Sequence, residues 1–313
     1  MELIGKSPVM KEIHSMIGLV ADSSTPVLIT GESGTGKDVV ARLIHMQSPR
    51  VDLPFIAINC AAVPKEVFEN ELFGHELGAF TGATSKKMGY LEMADTGTLF
   101  FDELAEMETD TQAKLLRVLE TKAFRRLGGK TELSADVRLL AATNKSVQQA
   151  LDSGELRKDL YYRFSVIEIF IPPLRERKED VELLIDHFLQ HFCHKHKKAT
   201  RKFSHEAMKT MQDYDWPGNV RELRNVVERA VILSTRDSIT PDLLPSSMAG
   251  KMSTSNTISI QIGTTLEAAE KEIILKTLSA TANNKSRTAA ILGLSRKALY
   301  DKLKRYGLDV EGN

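Results

Sequence analysis

A glycine-rich segment between an apolar run and a helical pattern constrains the fold of this chain more than any other feature. The segment reads Gly-Glu-Ser-Gly-Thr-Gly-Lys at residues 31–37 and follows the short apolar run 27–30. A helical pattern from Lys37 to Met46 starts where the glycines end. A buried strand that enters a helix through a glycine loop is typical of a parallel sheet with crossover helices. We therefore predict an α/β fold around this segment.

The rest of the first 173 residues indicates the same fold. Further apolar runs of strand length alternate with helical stretches, as in a parallel sheet covered by helices. A helix is predicted over 7–20, where apolar residues follow Ser7-Pro8 at helical spacing. Residues 1–173 are therefore predicted to form an α/β subdomain. Its further strands are predicted at Phe55–Ile58, Thr98–Phe101, Val137–Ala142 and Val166–Phe170.

The pattern changes after Pro172-Pro173. No further strand is predicted, and helical periodicity predicts an all-α subdomain over 174–245. Residues 246–264 are rich in Ser, Thr and Asn and are predicted to be a linker, and residues 265–313 a small helical domain. The helical patterns of the subdomain cover 178–195, 203–213 and 219–234.

Charge balance and cysteine content restrict the class of protein. The 313 residues include 42 basic and 42 acidic side chains, which excludes a polycation that binds nucleic acid along its whole surface. Two cysteines, Cys60 and Cys193, make no disulfide framework and favour a reducing compartment. No signal peptide or membrane span is visible. We expect a soluble cytoplasmic protein with no membrane partner.

The glycine-rich segment has the spacing of a phosphate-binding loop. Glycines let backbone N–H groups surround the β- and γ-phosphates of a nucleotide, and Lys37 neutralises phosphate charge. Asp38 stands where Ser or Thr holds Mg²⁺ in many such loops, and it could bind the ion through water or simply suit the first turn of the helix. The predicted nucleotide-binding residues are Gly31, Glu32, Ser33, Gly34, Thr35, Gly36, Lys37 and Asp38.

Polar residues at three strand ends complete a site for hydrolysis. We assign Mg²⁺ binding to Asp102 and polarisation of the attacking water to Glu103, and a solvated acidic strand end is the alternative. Asn59 could reach Glu103 and hold it idle, or could cap its own strand. Asn144 could orient water near the γ-phosphate, or could start a turn. The Asn-Lys-x-Asp pattern that binds guanine is absent at 144–147, so ATP and Mg²⁺ are the predicted cofactors.

A pliable loop lies between the glycine segment and the acidic pair. It reads Gly-Ala-Phe-Thr-Gly-Ala at 78–83, and its glycines disfavour both a helix and a central strand. The loop therefore presents Phe80 and Thr81 away from the body of the domain. Because it lies between two nucleotide-binding elements, we expect it to move when the nucleotide changes. A simple spacer is the alternative.

The end of the chain has the pattern of a helix-turn-helix unit. Thr264 and Glu267 form a capping-box pattern before one helix. A second helix covers about Ser286–Leu292, and Ser295 caps a third helix that Gly307 ends. Two short helices joined in this way are typical of DNA-binding units.

The basic character of this unit supports DNA binding. Residues 285–306 hold seven basic side chains and one acidic side chain. Leu299 and Leu303 are predicted to face inward, which leaves the basic side chains for bases and phosphates. A generic basic helical bundle is the alternative. The predicted DNA-binding residues are Arg296, Lys297, Tyr300, Lys302 and Arg305.

A group of histidines on the helix predicted at 178–195 has two explanations. His187 and His191 are one turn apart and could share a metal ion such as zinc. The same spacing fits a solvated face of a charged helix, which is the favoured interpretation. The group also contains Cys193, His194 and His196.

Together these motifs resemble the AAA+ ATPase domain of bacterial enhancer-binding proteins, the activators of sigma-54 RNA polymerase. The resemblance covers about Leu3–Leu244, and the segment at 78–83 is its most specific part. The glycine segment, Gly97–Glu103, Leu-Arg-Glu-Arg at 174–177 and the stretch 216–223 also match. The resemblance implies an AAA+ P-loop fold with a helical lid, ATP hydrolysis, and sigma-54 RNA polymerase as partner.

The resemblance also implies roles for single residues within one protomer. Asn59 looks like the switch residue for Glu103, Asn144 like the first sensor, and Arg221 like the second sensor. The loop looks like the sigma-54 contact, with Phe80 and Thr81 as the contacting side chains. That contact comprises Gly78, Ala79, Phe80, Thr81, Gly82 and Ala83.

Other implied roles concern neighbouring protomers and DNA. Arg157 and Arg163 look like fingers that act on the nucleotide of the next protomer, which implies a hexameric or heptameric ring. Helix surface charges are the alternative for both. The segment 120–129 resembles a second pore loop, although its residues alone indicate only a hairpin. Residues 265–308 resemble a Fis-type DNA-binding domain, which dimerises through its first helix.

The predicted function is therefore a sigma-54-dependent transcriptional activator. We expect it to bind double-stranded upstream enhancer DNA and to use ATP hydrolysis in a ring to remodel sigma-54 RNA polymerase for open complex formation. The alternatives are a DNA-binding regulator with a non-remodelling ATPase fold and an AAA+ helicase or unfoldase.

Overall fold

The computed structural model describes residues 2–199, 201–235, 237–248, 260, 263–281 and 284–306. The chain divides into two compact units, Met1–Pro245 and Ser246–Asn313. Most of the predicted linker at 246–264 lies outside the described residues. Within the described part of the chain, no helix is long and apolar enough to cross a bilayer.

A five-stranded parallel sheet is the centre of the first unit. The strands of the unit are β1 (Val27–Thr30), β2 (Phe55–Asn59), β3 (Gly74–His75), β4 (Lys87–Met88), β5 (Thr98–Asp102), β6 (Ala123–Phe124), β7 (Leu133–Ser134), β8 (Arg138–Thr143), β9 (Ile167–Phe170), β10 (Lys202–Phe203) and β11 (Ser238–Ile239). The parallel sheet has the order β2-β5-β8-β1-β9. The predicted α/β fold is confirmed, and the predicted strand ends differ from the observed ones by no more than about one residue.

In the described part of the first unit, ten helices surround this sheet or form the helical subdomain that follows it. They are α1 (Pro8–Ala21), α2 (Lys37–Met46), α3 (Lys65–Phe73), α4 (Tyr90–Met93), α5 (Thr109–Thr121), α6 (Val147–Asp152), α7 (Lys158–Phe164), α8 (Val181–Lys195), α9 (His205–Asp213) and α10 (Asn219–Leu233). Short 3-10 turns at Leu104–Glu106, Leu174–Glu176, Lys178–Asp180 and Pro241–Leu243 connect them.

Both faces of the parallel sheet are buried, as its apolar strands require. In β8 all residues are buried, and Leu139 and Ala141 contribute to one apolar cluster. Leu140 and Ala142 contribute to the other cluster, together with residues of α1 and α2. Because parallel strands end on the same edge, Asn59 of β2 lies beside Asp102 of β5. This edge is where α/β sheets bind ligands.

The helical subdomain contains one pair of strands that the sequence does not predict. β10 and β11 pair in parallel over two residues each, so the prediction of no strand after Pro172-Pro173 was wrong. Strands this short show no alternation that could reveal them. The helix predicted from residue 203 begins instead at His205, because Ser204 accepts a hydrogen bond from the Ala207 N–H (3.2 Å) and caps it.

The second unit is a three-helix bundle. Its helices are α11 (Leu266–Ala280), α12 (Lys285–Ile291) and α13 (Arg296–Arg305), and its core consists of Ile274, Leu278, Ala289, Leu299 and Leu303. The cap of α11 is Thr265 rather than the predicted Thr264, since the Thr265 hydroxyl accepts the bond from the Ala268 N–H. Ser295 caps α13 as predicted, and Gly307 lies outside the described residues.

Candidate functional site

A cavity of about 870 Å³ at the carboxyl edge of the parallel sheet gathers much of the predicted nucleotide site. The loop residues 33–38 line one side, and Asp102 and Glu103 line another. Arg221 reaches the cavity from the helical subdomain. Gly31, Glu32, Asn59 and Asn144 adjoin these residues in the chain or by contact but are not part of the lining. The list of predicted residues missed Arg177, Arg224 and several apolar side chains that also line it.

Two glycines give the loop 31–37 its shape. Gly34 has a φ of 80° and Gly36, which precedes α2, a φ of 107°. A Cβ on Gly34 would lie 2.4 Å from the carbonyl oxygen of Gly218 in the helical subdomain. The backbones therefore approach closely, which only glycine permits. The first turn of α2 lines the cavity, and its N–H groups favour an anion there.

Lys37 is the buried cation of the site. Its side chain is 6% exposed, and its Nζ donates to the carbonyl oxygens of Gly31 (2.8 Å) and Glu32 (3.2 Å). Burial lowers the pKa of the ammonium group, while the carboxylates of Glu103 and Asp102 oppose that shift. A low-dielectric environment strengthens the interaction of such a cation with phosphate oxygens.

The acidic pair stands at the end of β5. Burial raises the pKa of both Asp102 and Glu103 above the ordinary carboxyl range. The Glu103 Oε2 accepts a hydrogen bond from the Asn144 N–H (2.9 Å), and its Oε1 lies 3.9 Å from the Lys37 Nζ. The strand ends here, since Glu103 has a φ of 57°. The pair therefore sits between the loop lysine and the end of β8.

The oxygen donors at this edge suit a divalent cation. Asp38 lines the cavity and raises the pKa of Asp102 through charge repulsion, so two carboxylates lie near each other in a partly buried place. Carboxylate oxygens without thiol or imidazole partners fit Mg²⁺. The Thr35 hydroxyl is engaged elsewhere, since it donates to the Glu32 carbonyl oxygen (2.8 Å).

The structure corrects the predicted contact of Asn59. Its Nδ2 donates to Asp102 Oδ2 (3.1 Å), not to Glu103. Its Oδ1 accepts bonds from the N–H groups of Ala61 (2.9 Å) and Ala62 (3.1 Å), so it also caps its own strand. The reason is the register, which places Asn59 directly opposite Asp102, whereas Glu103 is one residue beyond the paired region.

The helical subdomain holds the glycine loop through several polar contacts. The Arg221 Nη1 donates to Ser33 Oγ (2.9 Å), which places this predicted residue at the loop. Arg175 forms a two-bond pair with Glu32 (2.7 and 2.9 Å), and Asn219 donates to Glu32 and to the Ser33 carbonyl oxygen. No role was predicted for Arg175 or Asn219. Both lie in stretches that carry the family resemblance, which was the available signal.

The cavity lining also includes apolar side chains and the two histidines of the predicted cluster. Leu3, Leu184 and Phe188 line the cavity with His187 and His191. This is a suitable environment for a purine base. Among the described residues, no group of three or more His, Cys, Asp or Glu side chains is arranged to hold a metal ion. The spacing of the histidines is thus accounted for by a cavity wall on α8.

Arg157 and Arg163 do not line the cavity of their own protomer. Arg157 precedes α7, is exposed, and pairs with Asp159 (Nη2 to Oδ2, 2.7 Å). Its backbone N–H donates to the Oε1 of the buried Gln112 (2.9 Å). Arg163 is exposed near the end of α7. Both guanidinium groups therefore lie at the surface, that of Arg157 in a solvated ion pair with Asp159.

The loop 78–83 is an exposed turn with few contacts. Hydrogen bonds from the Gly78 N–H to the Ala83 oxygen (2.9 Å) and from the Ala83 N–H to the Phe80 oxygen (3.0 Å) close it. The Phe80 side chain is 47% exposed and meets the His75 ring edge-on at 5.1 Å. Thr81 is exposed. These positions agree with a surface that is offered to another molecule.

A buried guanidinium group connects the base of this loop to the hairpin β6–β7. Arg126 lies in the hairpin and binds Glu76 (Nη1 to Oε1, 2.5 Å) and Glu92 (Nε to Oε1, 2.7 Å). The Glu92 and Glu76 carboxylates raise the pKa of Arg126. The hairpin predicted within 120–129 is present and extends to Ser134. Sequence reasoning missed Arg126, because its partners lie 34 and 50 residues away.

In the second unit, two of the predicted DNA-binding residues bind within the protein. Lys302 is 29% exposed and pairs with Glu270 of α11 (2.6 Å), and Arg305 pairs with Glu267 (3.3 Å). Their role as DNA-binding residues stays a prediction, since both ion pairs are partly solvated and lie where one turn of α13 faces acidic positions of α11. Arg296 and Lys297 are exposed, and Tyr300 is 47% exposed beneath the Lys285 ammonium group (5.1 Å).

Comparison with protein families gives three successive matches. Residues 3–170 match the sigma-54 interaction domain, residues 175–260 match the AAA+ ATPase lid domain, and residues 265–306 match the bacterial regulatory proteins of the Fis family. The matched regions follow the order of the parallel sheet, the helical subdomain and the three-helix bundle.

Similar proteins of known name agree with these matches. The regulatory protein AtoC of Escherichia coli (strain K12) is 43% identical over 313 residues, 98% of this chain and 68% of AtoC. The transcriptional regulatory protein ZraR of the same strain is 45% identical over 308 residues, 97% of this chain and 68% of ZraR. The crystal structure of NtrX from Brucella abortus in complex with ATP is 37% identical, with a TM-score of 0.78 over 98% of this chain and 70% of that chain.

Proposed function

This chain belongs to the bacterial sigma-54-dependent transcriptional regulators with an AAA+ ATPase domain, and on that premise we propose how its residues perform the work. ATP hydrolysis between protomers of a ring repositions the loop 78–83, which acts on sigma-54 RNA polymerase and promotes open complex formation. The C-terminal unit binds upstream double-stranded DNA and dimerises through α11. The ring is a hexamer or a heptamer.

The observation that carries this proposal is the continuous path from the acidic pair to the loop. Asn59 bonds Asp102 and the turn that follows β2 (3.1 and 2.9 Å). The chain continues through α3 into β3, and β3 leads directly into the loop. A shift at Asp102 on nucleotide turnover therefore reaches Phe80 and Thr81 through one short helix.

The roles of the site residues follow from their environment. Lys37 and the first turn of α2 bind the phosphates, and the apolar side chains of the cavity hold the base. Asp102 would hold Mg²⁺, with Asp38 in water-mediated contact, and the ion would supply positive charge next to the phosphate oxygens. Glu103 polarises the attacking water, and Asn144 positions Glu103 through its backbone N–H.

The arginines supply the reason for a ring. Arg157 and Arg163 lie outside the cavity of their own protomer, so they reach a phosphate only in a neighbour. A guanidinium group suits this task, since its planar donors stabilise the spread negative charge of the transferred phosphoryl group. Arg221 couples the presence of the γ-phosphate to the position of the helical subdomain, and it contacts the glycine loop at Ser33.

DNA binding is assigned first to the exposed side chains in the N-terminal half of α13. Arg296, Lys297 and Tyr300 precede the ion-paired end of the helix and are accessible. Lys302 and Arg305 pair with acidic side chains of α11, and Arg305 stays 69% exposed there. The recognition surface is then the N-terminal half of α13, as is common for a helix that enters the major groove.

The variant Thr81→Ala tests the division of labour between site and loop. We expect ATP hydrolysis within about twofold of wild type, because Thr81 does not line the nucleotide cavity, and loss of open complex formation on a sigma-54 promoter. The matched control is Thr84→Ala, an exposed threonine just outside the loop, which should retain both activities. Equal loss of hydrolysis and activation in Thr81→Ala would refute the proposal.

A further inference from the structure

A fully buried amide connects two functional segments that are distant in the sequence. Gln112 lies on α5 and is 0% exposed. Its side-chain amide makes three hydrogen bonds. Its Nε2 donates to the carbonyl oxygens of Met107 (2.7 Å) and Glu155 (2.7 Å). Its Oε1 accepts from the Arg157 N–H (2.9 Å).

The partners of Gln112 belong to the two halves of the proposed hydrolysis machinery. Met107 follows the 3-10 turn that begins directly after Glu103, so it is part of the segment that ends the acidic strand. Glu155 and Arg157 belong to the segment that presents the guanidinium group to a neighbour. One side chain thus holds the protomer's own acidic segment and its arginine segment at a fixed spacing.

A second connection follows the same route at the surface. Lys145 pairs with Glu106 (2.9 Å) and Glu155 (2.7 Å), and its neighbour Asn144 bonds Glu103. These ion pairs are solvated and hold their geometry weakly. The buried bonds of Gln112 are the rigid part of the connection, because a buried amide that loses a partner has no water to replace it.

We propose that Gln112 is a positioning residue that couples the state of a protomer's own acidic pair to the placement of the Arg157 guanidinium group in the next protomer. This inference rests on the proposed action of Arg157 between protomers. A shift of the segment 104–107 on nucleotide turnover moves the Gln112 amide, and the amide moves the start of α7 through the Arg157 N–H. Each site thereby reports its state to the adjacent site in the ring.

The test uses Gln112→Met, which keeps the length and helix preference of the side chain and removes all three hydrogen bonds. We expect kcat for ATP to fall about 10- to 100-fold, because small displacements of a catalytic group carry penalties of this size. The dissociation constant of a fluorescent ADP analogue should stay within about twofold, since the cavity lining is unchanged. The matched control is Gln148→Met, an exposed glutamine on α6, which should leave kcat unaltered.

Rings assembled from two variants show whether Gln112→Met impairs ATP turnover in its own protomer or in the neighbouring protomer. Gln112→Met is mixed with Glu103→Ala, which has a defective acidic pair and an intact arginine, and separately with Arg157→Ala. In an equimolar random ring, about one interface in four joins an intact acidic pair to an intact arginine, so turnover should return to about a quarter of wild type with Glu103→Ala. No recovery should occur with Arg157→Ala.

The other outcomes overturn the inference and identify what fails. If turnover recovers in the mixture with Arg157→Ala, whether or not it also recovers with Glu103→Ala, Gln112 serves the acidic pair of its own protomer. No recovery with either variant, for a folded protein with normal nucleotide affinity, means a general structural role. If the mixture of Glu103→Ala with Arg157→Ala also stays inactive, the action of Arg157 between protomers is itself wrong. Should Gln112→Met not fold, Gln112→Asn, which keeps the amide but not its reach, undergoes the same mixing with the same expected pattern.

Discussion

Glycines serve opposite purposes in the two loops of this protein, 31–37 and 78–83. In the first loop, a Cβ on Gly34 would meet the Gly218 carbonyl oxygen at 2.4 Å. In the second loop, Gly78 and Gly82 have φ values of 78° and 105°, and a Cβ on either would meet nothing within 4 Å. The same residue type permits close backbone approach in one loop and conformational freedom in the other.

The surroundings of the loops explain this difference. The first loop is held by Arg175, Asn219 and Arg221 of the helical subdomain and by the buried Lys37. The second loop is anchored at its base, where Arg126 binds Glu76 and Glu92, and above the base it has the ring contact of Phe80 with His75 and its own backbone bonds. A rigid loop suits the fixed geometry of phosphate binding, and a loop anchored at its base suits displacement.

The strongest test of this contrast is the variant Glu103→Gln. If Glu103 polarises the attacking water, as we propose, loss of its carboxylate should lower ATP turnover about 10²- to 10⁴-fold while ATP binding remains. Steady-state phosphate release and nucleotide titration measure the two effects. Glu108→Gln, an exposed residue at the start of α5, is the control and should keep full turnover. Unchanged phosphate release in Glu103→Gln would count against the assigned role.

The next largest effect should be the difference in nucleotide affinity between two variants that each add a methyl group to one of the loops. Gly34→Ala combines a φ of 80° with a backbone clash, and strain of about 1–3 kcal/mol should weaken nucleotide binding about 10- to 100-fold. Gly82→Ala introduces backbone strain at a φ of 105° but no clash, and Gly82 does not line the cavity, so nucleotide binding should stay within about twofold of wild type. Titration with a fluorescent nucleotide compares the two. Equal affinities in both variants would remove the distinction between the loops.

As the pH falls, Glu103 near the first loop should become protonated before Glu76 at the base of the second loop. Burial raises the pKa of Glu103, so the fraction of ionised base falls while the pH is still above the ordinary value of 4.5. Hydrogen bonding to Arg126 lowers the pKa of Glu76, so its ion pair stabilises the folded state above 4.5 and is lost only as the pH falls through the lowered pKa. Turnover should therefore decline before the Glu76 amide loses protection from hydrogen exchange. The reverse order would contradict these assignments.

The smallest effect is expected at the clamp of the first loop. Arg175→Lys removes the planar two-bond contact with Glu32 but keeps the charge. Because this pair is solvated, its contribution is about 0–1 kcal/mol, and KM for ATP should rise no more than about fivefold. Lys178→Arg, in an exposed pair with Asp215, is the matched control and should leave KM unaltered. A change above tenfold in Arg175→Lys would show that the clamp is stronger than its exposure indicates.

The sequence identified the elements of the site but not the contacts between them. Lys37, Asp102 and Glu103 could be assigned because each stands at a fixed offset from a strand with a clear apolar pattern. Gln112, Arg126 and Arg175 could not be assigned, because their partners are 43, 34 and 143 residues away and no local pattern marks them. The contact of Asn59 was predicted to the wrong acid for the same reason, since strand register decided it.

Local chemistry in the sequence was enough to determine the parallel α/β fold, the phosphate loop, the acidic pair and the exposed loop. Glycine spacing and apolar periodicity act within a few residues and are readable without the fold. Tertiary structure alone decided that Lys302 and Arg305 bind α11, that Arg157 lies outside its own cavity, and that Gln112 joins two segments. These outcomes depend on which surfaces pack together, and burial then determines which polar groups must find partners within the protein.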